Sequence, residues 1–182
     1  MQLKKILFTL FAAFLVYTSC SNLIVINNSG TNISNLKAVL FGIYFTFCAT
    51  GIFAFTGFVF QTYKLIPEQY YKIRNPAFLK KICTYLGVHY FSKAVVAIFY
   101  NKKKIKATYF NGNPDGINAF ITQTKQDEFG HIVPFVIISY YCIYLLFNSS
   151  YILVLSIFIS NMLLNLYPVI MQRHHRTYKS KN

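Results

Sequence analysis

A polar pair, Asn148-Ser149, is all that separates two long apolar runs, 131–147 and 150–170, and this arrangement limits the fold more than any other feature of the chain. Each run approaches the ~20 residues a helix needs to cross a hydrocarbon core. The link is too short for an excursion into water, so the two runs read as an antiparallel membrane hairpin. Counting outward from the link sets the depth of each polar side chain. His131 lies 17 residues before Asn148 and Asn165 lies 16 after Ser149, so at ~1.5 Å per residue they sit at one level. One turn farther out, Glu128 falls opposite Pro168, with Gln172 and Arg173 just beyond. Asn161, Asn165, Pro168 and Gln172 follow at intervals of four, three and four residues and share a helix face; Glu128 and His131, three apart, can also face together.

Composition supports the membrane. With 55% hydrophobic and only 12% charged residues, the chain lacks the make-up of a soluble domain. A net charge of +14 would suit nucleic acid, but the placement of the basic residues argues for topology instead. Lys4 and Lys5 precede the first apolar run, eleven Lys/Arg lie from Lys64 to Lys125, and Arg173, Arg176, Lys179 and Lys181 follow the last run; only Lys37 falls in the other set of loops. The sequence predicts an all-α, polytopic protein of the inner membrane: one membrane domain over 1–182, with four transmembrane helices at about 6–26, 38–60, 131–147 and 150–170. Both termini are expected in the cytoplasm, with membrane lipid as a partner and no nucleic acid. Oligomeric state is left open.

Residues 61–130 are the expected cytoplasmic and interfacial region, interrupted by Pro67, Pro76 and Pro114. Within it, 84–100 reads as an amphipathic helix lying at the interface, with tyrosines at headgroup level and lysines reaching anionic lipid. As a span it would carry Lys102, Lys103, Lys104 and Lys106 to the other side and undo the charge asymmetry; a re-entrant or fifth span is the competing reading. The cluster Asn111-Gly112-Asn113-Pro114-Asp115-Gly116 is a turn that closes the region. In the second run, Gly42, Ala49, Gly51, Ala54 and Gly57 would let neighbouring helices approach closely. The first run continues past Cys20 to Ile26, which favours a retained anchor over a cleaved signal peptide. Cys20, Cys48, Cys83 and Cys142 show no metal-ligand or redox spacing and read as small buried hydrophobes.

Ionisable and amide groups at membrane depth point either to a functional site or to hydrogen bonds between helices. A carboxylate three positions before a histidine suits general base work: Glu128 would hold the His131 ring in one tautomer and stabilise the imidazolium formed after proton abstraction. In acyl transfer this base would deprotonate a hydroxyl attacking a thioester. Asn165 or Gln172 would donate to the developing oxyanion, and Arg173 and Arg176 would take phosphates of a coenzyme A-like donor. The bland alternatives are that Asn161 and Asn165 only join helices and that the two arginines only anchor a span end. A metal is not expected: two glutamates are too few for a di-iron bundle, and His174 and His175 with His131 give a poorly furnished zinc site.

The combination Glu128-Phe-Gly-His131, a hairpin, then Asn165-Leu-Tyr167-Pro168-Val-Ile-Met-Gln172-Arg173-His-His-Arg176 resembles the glycosyl-4,4'-diaponeurosporenoate acyltransferases, small membrane enzymes of carotenoid synthesis. The resemblance covers about the last third of the chain. It implies a fatty acyl donor, used as a cosubstrate with no resident cofactor, and a sugar hydroxyl on a lipid or isoprenoid as acceptor. It also adds Tyr167 to Asn165, Gln172, Arg173 and Arg176 as substrate-binding residues. Two rivals stand beside it: another membrane transferase or reductase acting on an isoprenoid or lipid, for which no nucleotide-cofactor motif is visible, and a non-enzymatic membrane subunit.

Overall fold

The computed structural model describes residues 2–29, 33–99 and 114–177. Among these every regular element is a helix and there is no strand. The helices are α1 (Gln2–Ser29), α2 (Asn35–Val59), a 3-10 turn (Thr62–Leu65), α3 (Glu68–Tyr71), α4 (Pro76–Tyr85), α5 (Val88–Phe99), α6 (Pro114–Leu145), α7 (Tyr151–Asn161), a wider π turn (Met162–Leu166) and α8 (Tyr167–Thr177). Four stretches, Gln2–Asn28, Asn35–Val59, Gly116–Leu145 and Tyr151–Thr177, are long and apolar enough to cross a membrane. The chain divides into two compact units, Met1–Thr62 with Phe129–Leu166, and Tyr63–Glu128 with Tyr167–Asn182.

The first unit has a core of Ile26, Ala38, Phe45, Ile138, Leu145 and Ile157, with further buried residues of α6 and α7. Its outside is as apolar as its inside: Leu10, Phe47, Ile143 and Leu155 are all more than half exposed, the pattern of helices solvated by lipid rather than water. Without a hydrophobic drive between helices, close backbone approach supplies the packing. A methyl group on Gly42 of α2 would lie 2.5 Å from Ser156 Oγ of α7, and one on Gly51 2.7 Å from Leu15 Cδ1 of α1. Ser156 uses that closeness to donate to the Val39 carbonyl at 2.9 Å.

In the second unit α4 and α5 pack against α8. Asn75 caps α4 by accepting from the Phe78 N–H at 2.9 Å, and Pro76 occupies the first helical position where no N–H is needed. Gly87, at φ 63°, ends that helix and lets α5 start afresh. The amphipathic helix expected over 84–100 is therefore two helices, broken at Leu86-Gly87. Two further boundaries differ from expectation. The third long helix begins at Pro114 rather than near 131, because its polar 123–128 stretch has partners to bond within this unit. The last long segment continues to Thr177. Of the turn cluster at 111–116, residues 111–113 lie outside the described set, as do 30–32 of the polar loop after α1. Cys48, Cys83 and Cys142 are buried as expected, whereas Cys20 is exposed.

Candidate active site

In the first unit a chain of polar side chains crosses the apolar interior. Asn161 and Asn165 are completely buried and Thr50 nearly so. Asn161 Nδ2 donates to the Phe135 carbonyl and to Ser139 Oγ, both at 3.1 Å. Asn165 Nδ2 donates to Asn161 Oδ1 and to Thr50 Oγ1, both at 2.9 Å, and Thr50 Oγ1 also donates to Asn165 Oδ1 at 3.1 Å. The same Oδ1 lies 3.4 Å from His131 Nδ1. The level of His131 and Asn165 deduced from the hairpin count is thus realised as a side-chain contact. Pro168 has no N–H for the carbonyl four residues earlier, and the π turn falls in the same stretch.

The second unit gathers the charges. Glu128 is completely buried and both its oxygens are taken by guanidinium groups: Arg173 Nε donates to Oε1 at 2.7 Å, and Arg176 Nη2 donates to Oε2. Arg173 lies over the Tyr70 ring, 4.6 Å from its centroid, a cation–π contact. Arg176, itself buried, has no acceptor for its Nε and Nη1 among the described residues. Burial, helped by the Glu128 charge, pushes the Tyr70 hydroxyl up to about 12 and also raises the Tyr71 hydroxyl, which donates to the Tyr63 carbonyl at 3.0 Å. Asp127 accepts from Gln123 at 2.7 Å and from Gln172 at 3.2 Å. Tyr167 OH donates to the Leu86 carbonyl at 3.0 Å, closing the break between α4 and α5, while its ring meets Phe91.

Each residue predicted from the sequence therefore has a defined partner, though not always the expected one. His131 meets Asn165 as the hairpin count required. Glu128 serves Arg173 and Arg176, whereas the three-residue spacing had suggested that it orients His131. The two hydrogens of the Asn165 amide are spent on Thr50 and Asn161, so this group is not a free oxyanion donor. Thr50, Asp127, Tyr70 and Tyr71 were not singled out from the sequence; a threonine in an apolar run and tyrosines in an aromatic-rich region carry no local signal. No group of three His, Cys, Asp or Glu among the described residues gathers to hold a metal.

Residues 67–178, more than half of the chain, match the CrtO family model, described as glycosyl-4,4'-diaponeurosporenoate acyltransferase. The chain belongs to that family. The comparisons with curated proteins and with solved structures returned no match. The CrtO segment contains Glu128, His131, Asn165, Tyr167, Gln172, Arg173 and Arg176 but starts after Thr50. Membership makes the protein one of a family of acyltransferases of carotenoid synthesis.

Proposed function

We propose that the protein moves a fatty acyl group from a coenzyme A-like thioester to a hydroxyl of a lipid-linked sugar, a glycosylated carotenoid or similar isoprenoid, at the inner membrane. The observation that carries this reading, beside family membership, is the polar chain ending on His131 in an otherwise apolar unit. His131 takes the hydroxyl proton as the oxygen attacks the thioester carbonyl. The new C–O bond forms, the C–S bond breaks as the intermediate collapses, and the imidazolium returns its proton to the departing thiolate.

In the second unit the arginine pair is suited to the anionic part of the donor. Arg173 keeps about a third of its side chain exposed, and Arg176 Nε and Nη1 have no acceptor among the described residues. Glu128 contributes by holding these guanidinium groups in place. Gln172 braces Asp127, and Tyr167 braces the α4–α5 break.

The test is acyl transfer by the reconstituted protein with acyl-coenzyme A and a glycolipid acceptor. His131→Ala at matched membrane levels is expected to lose turnover by ~10²–10⁴. Normal levels with normal activity would end the assignment of His131 as base.

A further inference from the structure

An asparagine amide can be turned either way, and here a backbone carbonyl decides the orientation of two of them in succession. The Phe135 oxygen only accepts, so Asn161 must present Nδ2 to it, at 3.1 Å, with Ser139 Oγ as second partner. That leaves Asn161 Oδ1 for Asn165, which therefore presents its own Nδ2, at 2.9 Å. The second Nδ2 hydrogen goes to Thr50 Oγ1, also at 2.9 Å. Asn165 Oδ1 then has to be the atom that faces His131 Nδ1. A ring nitrogen facing an amide oxygen must carry the hydrogen. Turning either amide over would set oxygen against oxygen in an apolar interior, where such a mismatch is costly.

We propose that Thr50 and Asn161 are positioning residues that, through Asn165, hold His131 in the tautomer protonated on Nδ1 and leave the lone pair on Nε2. The inference deepens the proposed role of His131 as base, since Nε2 becomes the atom that receives the hydroxyl proton. It also gives α2, which lies outside the family-matched segment, a part in the chemistry.

The tautomer can be read without turnover. Nitrogen NMR of the full chain labelled with 15N-histidine, with His131→Ala identifying one resonance pair among the four histidines, should show a protonated Nδ1 and an unprotonated Nε2 in the neutral ring. Thr50→Val and Asn161→Leu should each turn this into a tautomer mixture and lower kcat about tenfold with KM unchanged, in the range of lost orienting partners. Thr50→Ser should restore both readouts. A wild-type ring protonated on Nε2 overturns the inference even if no variant can be purified. So does a pure Nδ1–H signature in both variants, whether or not kcat falls. Failure of the base assignment is separate: His131→Ala would then keep turnover, while the tautomer signature would still decide the role of Thr50 and Asn161.

Discussion

Arg176 donates through Nη2 to Oε2 of Glu128, with 6% of the arginine side chain and none of the glutamate exposed. A pair so completely removed from solvent is strongly asymmetric in mutation, because removing one partner leaves the other as an uncompensated buried charge.

Glu128→Ala is accordingly expected to destabilise by ~3–5 kcal/mol, seen as loss of detergent-soluble protein and a lowered Tm. Glu128→Gln keeps an acceptor for Arg173 and should be milder. Equal, small effects of both would mean that the arginines do not depend on the carboxylate.

Arg173→Ala should raise KM for the thioester donor more than it lowers kcat, since a lost anion contact acts on binding. Arg173→Lys keeps the charge but gives up the stacked, forked geometry over Tyr70 and should fall between. A pure kcat effect would move Arg173 into the chemical step.

Gly42→Val would force bulk where a first carbon already lies 2.5 Å from Ser156 Oγ. Overpacking of this kind costs ~1–3 kcal/mol, and thermal inactivation at a lower temperature should report it.

For orientation, a cysteine introduced at the exposed Asn148 should react with an impermeant reagent added outside intact cells, and one at the exposed Gln69 should not. The reverse pattern would invert the proposed topology.

Depth was legible in the sequence and rotation was not. Counting from Asn148-Ser149 placed His131 level with Asn165, because rise per residue is nearly constant along an α-helix and one short π turn changes it little. Which of the polar groups at one level pair with one another depends on how each helix is turned about its axis. The π turn of Met162–Leu166 alters that phase just before Gln172, Arg173 and Arg176. Glu128 and His131, three residues apart on α6, consequently have different partners. Gly87 was likewise unreadable as a break: an isolated glycine inside an amphipathic pattern is usually tolerated, and only its φ of 63° shows that α4 has ended.

The pairing of Glu128 with Arg173 and Arg176 also has a history in time. The acid precedes its two bases by 45 and 48 residues, so at about 5–20 residues per second the ribosome leaves it without them for roughly 2–10 s. A carboxylate in that position must stay hydrated or take up a proton. The unit it belongs to therefore closes late, only after the last helix has been delivered, and a cell that slows translation after Glu128 lengthens the interval in which this part of the protein is open to proteolysis.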